Sequence, residues 1–132
     1  MSPLFHSVPA TLSLILLSAC VTSVNSPTQS STSAFDGEYM HVRTLDRVLS
    51  SGAGFCSSSN LIFVVQIRDG QFSTLYNADQ RVYLIGNVLS DGSIRAQGQL
   101  RSGQVNFLGQ ITDGRFRGVA TSPNCVYSFV QT

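Results

Sequence analysis

The chain contains no Lys, no Trp, a single Glu, two His and three Cys among its 132 residues. Charged side chains make up only 11% of it, less than half of the ~25% usual in soluble domains. All eight cations are Arg and the formal net charge is +1. That leaves no basic surplus to neutralise phosphates, so a nucleic-acid binder is excluded. The low charge equally excludes a disordered acidic or basic tail. With one Glu, a glycosidase-type carboxylate pair must combine Glu38 with an Asp. The two His and three Cys form neither a Cys-X-X-Cys nor a clustered His spacing, so no metal or cofactor site is expected. There is no Gly-X-Ser-X-Gly elbow and no phosphate-binding Gly loop. No window keeps a helical period, and the length is too short for a Rossmann or TIM-barrel enzyme.

What is present begins at the N-terminus. Residues 1–19 carry no charged side chain other than His6, and 8–19 are almost wholly apolar or small. Twelve residues span about 18 Å as a helix, short of a ~30 Å hydrocarbon core, which fits a cleaved signal segment better than a membrane span. The stretch ends in Leu17-Ser18-Ala19-Cys20. This resembles the lipobox of bacterial lipoproteins. The resemblance implies cleavage before Cys20, lipidation of Cys20 and a membrane anchor. Val21 stands where an Asp retains such proteins in the inner membrane of enteric bacteria, so the resemblance implies the outer membrane, facing the periplasm. The departure from the pattern is an n-region without Lys or Arg. Residues 20–34 then read as the lipidated Cys and a tether. Eight of the fourteen residues in 21–34 are Ser or Thr, and none is charged. Such a segment buries too little apolar surface to fold, and as a coil it spans about 20 Å. The folded domain is expected over 35–132.

Asp-Gly occurs at Asp36, Asp69, Asp91 and Asp113, and the last three are 22 residues apart. Apolar, polar, Asp-Gly, polar, apolar is the form of a tight hairpin, because Gly, and Asp tolerably, accept the positive φ of a type I′ turn. Weaker turn signals at 77–80, 101–103 and 122–124 lie between them. Turns about every eleven residues read as an all-β meander. The spacing predicts eight strands near 36–44, 61–68, 71–76, 81–89, 93–100, 104–111, 115–121 and 125–130. Alternation sets Ile94, Ala96, Gly98 and Leu100 on one face, then Val105, Phe107, Gly109 and Ile111, then Phe116, Gly118 and Ala120, then Cys125, Tyr127 and Phe129. The run 61–67 is nearly all apolar and reads as covered on both faces. Eight short antiparallel strands with one apolar face favour closure into a small up-and-down barrel, which removes the edges. Small residues beside large aromatics read as a filled interior. An open curled sheet or a sandwich is the alternative. The outward set on 93–120 includes Arg, Gln, Asn and Ser, which lipid would not accept, so a transmembrane barrel is disfavoured.

With Cys20 assigned to the lipobox, Cys56 and Cys125 remain as an even pair in an oxidising compartment and are expected to form a disulfide. Residues 46–60 are the one long irregular stretch. Long loops in compact domains are often functional, so Arg43, Arg47 and Phe55 are candidate partner-binding residues, against a purely structural crossing stapled by Cys56. The outward row Arg95, Gln97, Gln99, Gln104, Asn106, Arg115 and Arg117 suits a glycan or an acidic surface, or a merely solvated face. A further reading is a hydrolase using Glu38 and His41.

In layout the chain resembles small periplasmic β-barrel lipoproteins, some of which inhibit lysozymes or proteases. It also resembles proteobacterial exported proteins with an initial Phe-Asp-Gly-X-Tyr, here 35–39, and a closing Cys-X-Tyr, here 125–127. The likenesses imply a non-enzymatic envelope lipoprotein that binds a protein or cell-wall glycan. Inhibition of an exogenous hydrolase is the alternative.

Overall fold

The structure is a computed structural model that describes residues 30–49, 56–57 and 61–132. Eight strands follow one another: β1 (Gly37–Val48), β2 (Ile62–Arg68), β3 (Gln71–Asn77), β4 (Val82–Val88), β5 (Ser93–Leu100), β6 (Gly103–Thr112), β7 (Arg115–Thr121) and β8 (Cys125–Gln131). Each pairs antiparallel with the next, and β8 pairs back onto β1 to close the barrel. The meander and closure expected from the turn spacing are both present. The lipobox, most of the tether and Phe55 lie outside the described residues.

The turns group at two ends. At one end sit the β2–β3, β4–β5 and β6–β7 connections, each carrying an Asp-Gly. Asp69 and Gly70 have φ of 51° and 74°, and Asp113 and Gly114 have 53° and 72°, as a two-residue type I′ turn requires. The Asp91-Gly92 turn is built differently. Only Gly92 has positive φ, at 83°. Its N–H donates to Leu89 O at 2.9 Å, and Asp91 Oδ1 accepts from Ser93 N at 2.9 Å and Ser93 Oγ at 2.6 Å. Those two bonds hold the Asp91 carboxyl below its usual pKa. The fourth Asp-Gly is no hairpin at all. The Asp36 carboxylate accepts from Asp69 N at 2.8 Å and Gly70 N at 3.0 Å, clamping the β2–β3 turn from outside.

The interior is filled, as the alternation implies. Phe72, Phe107, Phe116 and Phe129 are essentially inaccessible to solvent and in ring contact: Phe72 stacks on Phe107 at 5.0 Å, Phe107 on Phe116 at 6.0 Å, and Phe107 meets Phe129 tilted at 5.1 Å. Gly109 and Gly118 face each other across β6 and β7 beneath the Phe107 ring. A Cβ built on Gly109 would lie 2.6 Å from Phe107 Cε1, and one on Gly118 would collide with Phe107 Cζ. The missing side chains make the space that the ring occupies.

Two features depart from expectation. First, β1 runs on to Val48 instead of ending near residue 44. Its pairing with β2 stops at Val42↔Ile62, but its pairing with β8 continues, through a register shift between Leu45 and Arg47, to Val48↔Cys125. The presumed loop therefore starts as strand. Second, β2 is covered on one face only. Val65 and Ile67 point inward and are buried, whereas Ile62 is 58% and Val64 42% exposed. Among the described residues, Ile62 and Val64 are left open on the outer face of β2.

Candidate functional site

Strand β1 points Tyr39, His41, Arg43 and Leu45 into the barrel, since residues two apart share a face. His41 is fully enclosed. Its ring lies 4.6 Å from Phe129 at an interplanar angle of 9°, and 5.7 Å from Phe116 edge-on. Neither ring nitrogen has a hydrogen-bond partner. Burial, and secondarily the Arg43 charge, push its pKa down to about 4, so the imidazole is neutral at pH 7.

Arg43 is the one charged side chain in the core, 6% exposed. Its place follows from the seam between β2 and β3, which pair only from Val65↔Thr74 to Arg68↔Gln71. Beyond that register the two strands separate. Arg43 Nη1 donates to Tyr76 O at 2.6 Å and Nη2 to Leu75 O at 2.7 Å, satisfying carbonyls at the separated end of β3. The guanidinium lies 4.0 Å over the Phe63 ring and 4.6 Å over Phe129, a cation–π arrangement. Its Nε has no partner. Burial lowers its pKa to about 10, which the facing Tyr76 and Tyr127 partly offset, and it stays protonated at neutral pH. Burial correspondingly raises Tyr76 and Tyr127 above the usual phenol range.

The candidate residues therefore separate. Arg43 is a structural bolt inside the barrel and offers a partner no surface. Arg47 is exposed on the outside of β1, paired with Val126. Phe55 lies outside the described residues. Glu38 is exposed and takes a 3.4 Å bond from Gln66 Nε2, while His41 is on the inner face of the same strand. A hydrolase built from those two is thus split by the barrel wall. Among the described residues no three His, Cys, Asp or Glu side chains converge on a metal position, and no helix is long and apolar enough to cross a membrane.

The expected disulfide is present: Cys56 and Cys125 are joined with an S–S distance of 1.98 Å and Cα atoms 5.7 Å apart. Beside it Tyr127 Oη donates to Ser57 O at 3.0 Å, and Leu49 N donates to Asn124 O at 2.7 Å. The 56–57 segment is thereby fixed over the end of the barrel away from the Asp-Gly turns.

Two exterior faces differ in chemistry. On β5 and β6, Arg95, Gln97, Gln99, Gln104 and Asn106 are all exposed, with Tyr83 and Ile85 open on neighbouring β4. Gln104 Nε2 donates to Gln97 Oε1 at 2.5 Å. From β2 through β1, β8 and β7 to β6, halfway around the ring, the wall presents Ile62, Val64, Met40, Val130, Val119 and Leu108, with Arg117 paired beside Val130. Met40 sits across from Val64, and Leu108 across from Val119. Leu108 is 63% and Val130 57% exposed. The alternation already put Leu108 and Val119 outward. The closure of β8 on β1 continues the wall from them to Val130, Met40 and Ile62. Comparison with known proteins finds no family model, no curated protein and no solved structure that matches this chain.

Proposed function

We propose that the protein is a bacterial envelope lipoprotein, anchored through Cys20, whose barrel is a non-enzymatic binding module. The observation that carries the binding part is the filled interior. The stacked Phe72, Phe107, Phe116 and Phe129 leave recognition to the outside of the barrel. The polar face of β4–β6, with Gln97, Gln99, Gln104, Asn106 and Tyr83, suits a neutral polar partner such as a protein surface or a cell-wall glycan. The anchoring part rests on the lipobox and on the position of the tether. Thr32 N donates to Val88 O at 3.0 Å and Ser31 bridges to Leu89, so the chain joins the barrel at the Asp-Gly end of β4.

Metabolic labelling with palmitate tests the anchor. Wild-type chain should incorporate label and fractionate with the outer membrane, and Cys20→Ser should do neither. Labelling that persists in Cys20→Ser would remove the lipoprotein reading. Capture from envelope extract on the full chain tests the binding module. A retained partner or glycan that is lost in a Gln97→Ala/Gln104→Ala variant supports it. Stoichiometric loss of lysozyme or protease activity on adding the protein would replace it with the inhibitor reading.

A further inference from the structure

An Asp-Gly pair carries a reaction of its own. The Gly amide nitrogen can attack the Asp carboxyl and close a five-membered succinimide ring, because Gly has no side chain to obstruct the approach. In three of the four pairs of this chain a reacting group is already engaged. The Asp36 carboxylate accepts from Asp69 N at 2.8 Å and Gly70 N at 3.0 Å, which also occupies the nitrogen of the Asp69-Gly70 pair. Gly70 is buried, with Thr32 O 2.7 Å from where its Cβ would stand. The Asp91 carboxylate accepts from Ser93 N and Ser93 Oγ, and Gly92 N donates to Leu89 O at 2.9 Å. Gly92 is buried too, against Ile111 O. The fourth pair is open. Among the described residues neither the Asp113 carboxylate nor the Gly114 amide has a hydrogen-bond partner. Residues 112–115 are all exposed, and nothing lies within 4 Å of a Cβ built on Gly114.

We propose that Asp113 is a site of spontaneous covalent modification, isomerising to isoaspartate through a succinimide with Gly114. In the type I′ turn, with φ of 53° at Asp113 and 72° at Gly114, ψ of Asp113 is roughly +30° and the Gly114 nitrogen points away from the carboxyl. The same two-residue hairpin has a second form, type II′. Flipping the central peptide keeps φ of Asp113 positive and takes its ψ to roughly −120°. There the Gly114 nitrogen eclipses Cβ, which is the alignment a five-membered ring needs. The flip carries Gly114 to negative φ, which Gly adopts as readily. It breaks no hydrogen bond, since the flanking pair Thr112↔Arg115 lies outside the peptide that turns. The equivalent flip would break the Gly70 bond to Asp36 or the Gly92 bond to Leu89, and each bond slows ring closure by roughly tenfold. In the reaction Gly114 N gives its proton to solvent and bonds to Asp113 Cγ, and the carboxyl OH leaves as water. A second water opens the ring. Attack at Cγ restores Asp113. Attack at the main-chain carbonyl leaves that carbon as a free carboxylate and routes the chain through Cβ and Cγ. Mass and charge are unchanged, and the turn gains one backbone atom. That atom enters an exposed turn and not a strand, so the barrel is kept. The proposal depends neither on lipidation of Cys20 nor on a binding partner.

Peptide mapping of aged protein tests it. Trypsin cuts after Arg and places every Asp-Gly pair in its own peptide, with Asp113 in 102–115. Folded, oxidised full chain is held in warm, mildly acidic buffer, where the carboxyl reacts as the neutral acid. Peptide 102–115 should then split into two chromatographic peaks of equal mass, with a minor form lighter by one water. Electron-transfer fragmentation should place the isoaspartate at 113. Conversion at the other three pairs should be slower by roughly tenfold or more. Reduced chain in denaturant, where no pair is held, should isomerise at all four. Asp113→Glu requires a six-membered ring and should abolish the split while β-sheet circular dichroism is unchanged. Conversion in the folded protein at 36, 69 or 91 as fast as at 113 overturns the proposal. So does a 102–115 peptide that stays single in the folded protein while the denatured control splits.

Discussion

His41 shows how one residue ties burial to pH. Its unfolded pKa is about 6.5, and in the folded barrel burial and the Arg43 charge lower it to about 4. Between those values the unfolded chain takes up a proton that the native ring refuses, so stability falls as pH falls. The loss is about 1.4 kcal/mol per pH unit, begins near pH 6.5 and is complete near pH 4. Urea unfolding should therefore give a free energy about 2 kcal/mol lower at pH 5 than at pH 7. His41→Leu, which keeps an apolar group against Phe129, should flatten that dependence. Parallel pH profiles for the two proteins would refute the assignment. Arg43, two residues on, behaves differently because its charge is needed. It answers two carbonyls and two aromatic faces at once, which the single ammonium of Lys cannot do in the same geometry.

At the level of the elements, the Asp-Gly signals look alike in the sequence and differ in the barrel. Two are type I′ turns, one turns on Gly92 alone, and Asp36 clamps a neighbouring turn. Asp36→Ala should leave the Asp69 and Gly70 amides without their carboxylate, at a cost of about 1–3 kcal/mol. Chemical denaturation would show this as a lower midpoint, with hydrogen exchange faster at Asp69 and Gly70 than in the β6–β7 turn. Uniform acceleration in both turns would instead mean a global loss. The strand positions and the inward set Phe107, Phe116, Tyr127 and Phe129 were legible because alternation and turn spacing are local signals. The inward row Tyr39, His41 and Arg43 was not legible as core. Only the separation of β2 from β3 gives a cation somewhere to go, and that separation follows from a short pairing register far along the chain. The open outer face of Ile62 and Val64 was hidden as well, because the run 61–67 reads equally well as a doubly covered strand.

The whole molecule depends on closing β8 against β1, a contact between opposite ends of the folded chain. Long-range pairing of this kind costs loop-closure entropy before it gains any contact. The Cys56–Cys125 bond acts on that cost. It spans 69 positions and encloses all of β2 to β7, leaving β1 outside the covalent loop. Constraining a loop of that length in the unfolded chain is worth roughly 4 kcal/mol in the chain-entropy model. Small domains have only about 5–15 kcal/mol in total, so the bond is a large share of what keeps this barrel folded. Reduced and alkylated protein should melt roughly 20 °C below the oxidised form. Cys56→Ser should reproduce the shift, because Cys125 then stays as a small buried side chain in β8. In the oxidised protein, Cys56 and Cys125 should resist thiol reagents even in urea until reductant is added. Equal melting temperatures before and after reduction would show that the β1–β8 pairing and the aromatic core close the barrel without the staple. Because β1 lies outside the loop, reduction should also be felt first where the stapled segment meets the barrel. The Tyr127 bond to Ser57 is placed to report it, through loss of near-ultraviolet tyrosine dichroism at temperatures where the far-ultraviolet β signal still persists.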